Sequence, residues 1–148
     1  MDGLTRAQIR AATVTALQAD ATLTAQIPAG HILSADSVPL TDADDKTIVV
    51  WTERQRLDSD GGAVGFAEYA TDTDVVVQLT CPDTSGASEA ALDLCDLALS
   101  ALLSSQTWMT QWTGGRPQVD VEPFRLDGGD RMWVGAVIRL TCRHLRGY

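Results

Sequence analysis

The side chains that could do acid–base or metal chemistry are few, and their spacing matches no catalytic motif. The chain has two histidines, His31 and His144. Neither has a cysteine, histidine or carboxylate at the spacing of a metal ligand. The sequence also lacks the serine-nucleophile motif, the phosphate-binding loop and the dinucleotide fingerprint. It therefore predicts no catalytic residue and no cofactor, and it favours a protein that is not an enzyme.

Two aspartate-rich segments resemble calcium loops without completing one. Asp42–Asp45 lacks the regular order of ligands, and Asp58–Gly62 lacks the distal carboxylate that closes around the ion. Both compositions are typical of solvated loops. Asp127–Asp130 is typical of a tight turn, because its two glycines accept positive φ. We therefore predict no metal site.

The three cysteines are an odd number and show no C-x-x-C spacing, which argues against a zinc site and against a complete disulfide framework. Cys95 falls within an apolar helical stripe, where a thiol usually fills core volume. Cys81 and Cys142 each end a strand pattern that faces the core, so they are possible neighbours. The sequence predicts reduced, buried thiols.

Length and charge limit the class of protein. A chain of 148 residues with 45% apolar content fits one domain over residues 1–148. Twenty acidic against eleven basic residues give a net charge of −9, which disfavours binding to nucleic acid through its phosphates. Because no apolar run approaches the roughly 20 residues of a membrane span and no secretory signal is visible, we expect soluble, intracellular folding and no membrane contact.

Hydrophobic periodicity predicts the elements that must position these side chains. The predicted helices are Thr5–Gln18, the central Ser88–Leu103 with Ser88 as its N-cap, and the short Gln106–Thr113. The predicted strands are His31–Ser34, Lys46–Arg54, Glu68–Cys81, and the hairpin of Pro117–Leu126 with Arg131–His144. Gln55–Gly65 is polar and glycine-rich, so we predict a mobile hairpin loop there.

The patterns also predict which faces are buried. The expected apolar stripe of the central helix is Ala91, Leu92, Cys95, Ala98, Leu99 and Leu102. In the last strand, the expected core face is Met132, Val134, Ala136, Ile138, Leu140 and Cys142. Together these elements predict an α+β fold, with a single mostly antiparallel sheet and helices packed on one face.

The opposite face of the last strand is the candidate contact surface. Trp133 either covers the second side of the sheet or contributes apolar area to a subunit interface. Arg139, Arg143 and Arg146 form a basic row in an acidic chain, and the acidic pair Asp72 and Asp74 is a possible complement on the next subunit. Two different complementary patches are what a head-to-tail ring requires. A merely solvated face remains the alternative.

The order of these segments resembles the tail terminator proteins of long-tailed bacteriophages and related gene transfer particles. The resemblance lies in the leading helix, two strands, the central helix and the closing strand: TRAQIRAATVTALQAD, TIVVW, TDVVVQLT, SEAALDLCDLALSALL and WVGAVIRLTCRH. It implies a structural virion subunit of the tail–neck region that assembles in the host cytoplasm as a hexameric ring. Such a ring caps the tail tube, stops its polymerisation and joins it to the head connector, while DNA passes through the channel without specific binding.

Two other readings of the sequence stay open. One is another neck, head-completion or tail-tube protein of the same particles, since those are also small α+β proteins. The other is a host binding module whose tryptophans line a groove for a small ligand or peptide. Solution mass separates the second of these from a ring subunit, because a ring subunit assembles and a module stays monomeric.

Overall fold

One six-stranded sheet organises the protein in the computed structural model, which describes residues 4–34, 46–57, 63–64, 68–82, 87–113, 115–127 and 132–147. The helices within this part are α1 (Arg6–Gln18), α2 (Ala21–Thr24), α3 (Ala87–Ser104) and α4 (Gln106–Met109). The strands are β1 (Ile32–Ser34), β2 (Thr47–Leu57), β3 (Ala63–Val64), β4 (Glu68–Pro82), β5 (Gln118–Asp127) and β6 (Met132–Gly147).

The strand order is β1-β2-β4-β6-β5, and β3 pairs with the beginning of β4. Only β1 and β2 run parallel among these pairs; the other pairings are antiparallel. β6 lies between β4 and β5 and pairs with β4 along its length, from Glu68 opposite Gly147 to Pro82 opposite Trp133. The predicted α+β class with a mostly antiparallel sheet is confirmed.

The helices pack on one face of the sheet. Successive strand side chains alternate between faces, so one set of β4 and β6 residues joins the helix side chains in a single core. From the strands this core takes Val75, Val77, Leu79, Cys81, Val134, Ala136, Ile138, Leu140 and Cys142. α1 contributes Ile9 and Leu17, and α3 contributes its buried stripe. The predicted core face of β6 is confirmed, apart from Met132, whose side chain lies outside the described part.

Local side-chain contacts define where the helices begin. Thr5 and Gln8 form a capping box at the start of α1: the Thr5 hydroxyl accepts from the Gln8 N–H at 3.2 Å, and the Gln8 amide oxygen accepts from the Thr5 N–H at 2.9 Å.

In α4, Trp108 Nε1 donates to Thr13 Oγ1 at 2.9 Å, which ties this helix to α1. Trp112 packs edge-on against Trp108, with ring centroids 5.0 Å apart.

The central helix differs from its prediction in two respects. It begins at Ala87, so Ser88 lies inside the first turn and is not the N-cap. Its buried stripe is also rotated: Leu94 and Ala101 are buried, whereas Leu92 is 46% exposed. The stripe is rotated because α3 packs over β4 and β6. The side of the helix that carries Leu92 lies outside this contact, beside the edge strand β5.

The predicted loop Gln55–Gly65 is partly strand. β2 continues to Leu57 after a register shift between Thr52 and Gln55, and β3 pairs with β4. The polar residues of this stretch pair with residues of β4 that are distant in sequence, so the local pattern does not predict the strand. The remaining positions of the predicted loop, like the two aspartate-rich segments and the Gly128–Asp130 part of the turn, lie outside the described residues.

The three thiols are free and buried, as expected. The possible proximity of Cys81 and Cys142 is wrong. Cys81 lies opposite Val134 and Cys142 lies opposite Thr73, eight residues apart along the β4–β6 pair. At about 3.4 Å per residue, the two thiols are roughly 27 Å apart along the sheet.

Candidate functional site

Charged side chains occupy one end of the helix-free face of the sheet, where β4 and β6 place them side by side. Arg143 lies opposite Asp72, with its Nη1 3.8 Å from the carboxylate. Asp74 accepts a hydrogen bond of 3.0 Å from the Thr141 hydroxyl and lies 3.8 Å from Arg56 Nη2. A shallow cleft of about 350 Å³ opens here, lined by Arg56, Asp72, Gly115, Arg116, Gln118, Thr141 and Arg143.

Arg139 continues this charged row towards the middle of the sheet. Its Nε lies 3.6 Å from Glu53 and its Nη1 lies 3.6 Å from Glu122, so it bridges carboxylates on β2 and β5. The three side chains are 43%, 40% and 75% exposed. Exposed ion pairs of this kind contribute about 0–1 kcal/mol each to stability. The charges of this row therefore neutralise each other, but their pairing adds little to the stability of the fold.

The basic row and the acidic pair predicted from the sequence are not two separate patches. They are neighbours on one face of one subunit and pair within it, because the β4–β6 register aligns Asp72 with Arg143 and Asp74 with Thr141. Arg146 of β6 lies opposite Tyr69 of β4, and the Arg146 side chain lies outside the described part. A contact role for Arg139, Arg143, Asp72 and Asp74 stays a prediction, and so does their complementarity across a subunit boundary.

Trp133 does not present contact area at the surface. Only 5% of the residue is exposed, and Val49 and Val76, on the same helix-free face, are fully buried. The helix-side core does not include these three side chains. This burial favours the alternative, that Trp133 covers the second side of the sheet, and its interface role stays a prediction.

His144 is the centre of a buried hydrogen-bond network. Its Nδ1 donates to the Leu145 carbonyl oxygen at 3.0 Å, since a carbonyl can only accept. Its Nε2 then accepts from the Thr73 hydroxyl at 2.7 Å, and that hydroxyl accepts from the Gln55 amide at 2.9 Å. Because the imidazole is fully buried, this arrangement satisfies a core histidine and presents no ring nitrogen to a substrate. Within the described residues, no group of three or more His, Cys, Asp or Glu side chains could hold a metal ion.

A basic groove lies on the face of the sheet that the helices cover, between α1 and strands β1 and β2. It has a volume of about 760 Å³ and is lined by Arg6, Ala7, Arg10, Ala11, Val14, Ser34 and Thr52. We call it the α1 groove. α1 contains two arginines and no acidic residue. The sequence signal for it is the i, i+4 spacing of Arg6 and Arg10, which places both on one side of the helix; we did not identify it from the sequence.

An acidic and apolar surface lies at the other edge of the sheet, where α3 borders β5. Exposed Glu89, Leu92, Asp93 and Asp96 share one side of α3 through i, i+3, i+4 and i+7 spacing. Leu92 lines a groove of about 310 Å³ with Pro123, Phe124, Arg125, Val134 and Gly135. Val121, in β5, is 45% exposed. We call this surface the α3 flank.

Comparison with known proteins identifies no family. A scan against protein-family models finds no match, and a search of curated proteins finds no relative. Among the described helices, none combines the length and the apolar character that a bilayer crossing requires. The geometry of the described surfaces therefore carries the functional argument.

Proposed function

We propose that this chain is a ring-forming structural subunit, the tail terminator of a long-tailed phage or gene transfer particle. One observation carries the proposal: the exposed large apolar side chains of the described part lie at the two edges of the sheet. Leu33 is 37% exposed on the edge strand β1, Val121 is 45% exposed on the edge strand β5, and Leu92 borders β5. Exposed apolar side chains on both flanks favour side-to-side association of subunits.

The remaining features of the molecule support a structural role. The His144 network is closed within the core, and the grooves beside α1 and α3 are shallow and lie at the flanks. The net charge of −9 suits a ring whose channel lets DNA pass without holding it. The segment order resembles that of the terminator family, which supports a hexameric ring.

In this role the ring lies in the tail–neck region of the virion after assembly in the host cytoplasm. One side of it caps the tail tube protein and stops further polymerisation. The other side receives the head connector. No nucleic acid, membrane or cofactor takes part in the specific contacts.

The first experiment measures assembly of the isolated chain. Sedimentation velocity over a range of concentrations, with electron microscopy of the largest species, should reveal a closed ring of about six subunits. A chain that stays monomeric at all concentrations would contradict the ring and favour the binding-module alternative.

The second experiment measures tail length in particles that lack this chain. Tails should become longer and variable, and heads should fail to join them. Normal tail length with normal joining would overturn the proposal, whereas normal length with failed joining would identify another neck protein.

A further inference from the structure

We infer that the α3 flank of one copy packs into the α1 groove of the next copy, so that a second copy of this chain is the occupant of that groove. This inference rests on the proposed ring. It replaces the helix-free face of the sheet, which the sequence suggested, with two surfaces at the sheet edges.

Charge complementarity identifies the occupant of the α1 groove. Arg6, Ala7 and Ala11 are exposed along it, and Arg10 and Val14 are half-buried. A groove that presents small apolar side chains beside two guanidinium groups fits a ridge that presents apolar side chains between carboxylates. In an acidic chain, this helix is a concentrated basic surface.

The α3 flank is such a ridge. α3 carries three acidic residues and no basic one, and all three acidic side chains are exposed. Leu92 is 46% exposed between Glu89 and Asp93 on the same side of the helix. An apolar side chain flanked by carboxylates complements the small apolar side chains and the two arginines of the α1 groove.

The two surfaces cannot meet within one subunit, because they lie at opposite edges of the sheet. α1 packs over β1 and β2, whereas α3 packs over β4 and β6 and borders β5. Four strand spacings of about 4.8 Å separate β1 from β5, or roughly 19 Å. A contact between copies is therefore head-to-tail, which closes into a ring when the rotation allows it. A symmetric pairing of two α1 grooves or two α3 flanks would oppose like charges.

Side chains rather than an extended sheet form this contact. Pro123 lies in the middle of the edge strand β5, and proline has no N–H to donate to an added strand. Exposed Asp120 and Glu122 precede it on β5 and further discourage strand addition. The ridge of α3 and the side chains of β5 are then the contacting groups.

A charge-swap experiment tests the inference. One variant reverses the groove with Arg6→Glu and Arg10→Glu, and the other reverses the flank with Asp93→Arg and Asp96→Arg. Each variant alone should self-associate at least about tenfold more weakly than the unsubstituted chain, because like charges then face each other. An equimolar mixture should restore assembly with strictly alternating subunits, since every contact in it is attractive again.

Reversal of Arg139 and Arg143 to Glu is the matched control, with the same change of charge on the helix-free face. It should leave the association constant within about twofold, because those charges pair within the subunit. Far-UV circular dichroism and thermal unfolding establish that each variant is folded. If the double groove variant does not fold, the single exposed changes Arg6→Glu and Asp93→Arg form a second pair for the same mixing test.

The outcomes separate the inference from the proposed function. A folded groove variant that assembles like the unsubstituted chain, or a mixture that restores nothing, overturns the inference while leaving the ring in place. Loss of assembly in the Arg139 and Arg143 control also overturns it and returns the contact to the helix-free face. An unsubstituted chain that never assembles overturns the proposed function itself.

Discussion

Ile138 and Arg139 are neighbours in β6 that occupy opposite faces of the sheet. Ile138 is fully buried, so we predict that Ile138→Asp prevents folding, because it buries an unpaired charge. Arg139 is 43% exposed, and Arg139→Asp should keep the fold at a cost of about 1 kcal/mol. The soluble fraction and the free energy of unfolding measure both effects. Equal loss of folded protein in the two variants would contradict the assigned faces.

The thiols predict a pH dependence of stability. Burial raises the pKa of the Cys95 thiol from 9.0 to about 11, and the nearby Asp96 carboxylate adds to the rise. Since the folded state resists ionisation, this stabilisation is complete below about pH 9 and is lost as the pH rises through 11. Denaturant unfolding at pH 7 and pH 10.5 should therefore show a smaller loss of stability in Cys95→Ala than in the unsubstituted chain. An identical loss in both proteins would exclude this contribution.

Residue burial was predictable where the strand alternation is regular, and much less so elsewhere. The core faces of β4 and β6 follow from their period of two. Leu92 was misplaced because its exposure depends on the position of α3 relative to β5, which local sequence does not reveal. The two readings of Trp133 stayed open in the sequence for a similar reason, since a local pattern does not show how far the second sheet face is buried.

At the scale of elements, the pairing of β4 with β6 depends on one glycine. A Cβ at Gly135 would overlap the carbonyl oxygen of Leu79 and lie 2.8 Å from the Phe124 ring. We predict that Gly135→Ala destabilises the protein by about 2–3 kcal/mol, because backbone atoms cannot move aside cheaply. Gly30→Ala is the matched control: nothing lies within 4 Å of its Cβ, so its effect should stay within about 0.5 kcal/mol. Urea unfolding measures the free energy of unfolding of both variants. Comparable losses in the two would contradict the close approach of Gly135 to Leu79 and Phe124.

Element boundaries show what sequence pattern can and cannot supply. The helix cores and the long strands were predicted to within a few residues, because apolar period sets them. The extension of β2 to Leu57 was missed, since its support is cross-strand: Gln55 bonds Thr73, and Arg56 lies opposite Asp72. Such polar pairs are separated in sequence and become visible only when the register is known.

At the scale of the whole molecule, assembly through the α1 groove and the α3 flank should depend on salt. Exposed charge pairs are screened over about 10 Å at 0.1 M ionic strength and about 3 Å at 1 M. We predict that the dissociation constant of self-association rises as salt increases. Leu92→Ala should raise it at every salt concentration without changing the slope, because it removes apolar contact and no charge. Sedimentation equilibrium measures the dissociation constant of both proteins at each salt concentration. A dissociation constant that does not change with salt would contradict a charged interface.

The candidate surfaces follow from strand order, which the sequence alone does not reveal. The sequence locates Arg6, Arg10, Asp93 and Asp96 on helices, yet only the order β1-β2-β4-β6-β5 places those helices over opposite edges of the sheet. The same order makes β4 and β6 adjacent, so Asp72 and Arg143 pair within one subunit, which the sequence alone does not reveal either.

The central position of β6 has a kinetic consequence. β6 follows β5 in the chain but is inserted between β5 and β4, so the sheet closes only through partners far apart in sequence. Domains dominated by such contacts fold in milliseconds to seconds rather than microseconds. Stopped-flow fluorescence of the buried Trp108 and Trp112 should therefore show folding on that slower scale, and a microsecond phase carrying the full amplitude would refute it. Until β6 is seated, β4 keeps an open edge, and newly made chains at high concentration can aggregate through it before a subunit exists to be assembled.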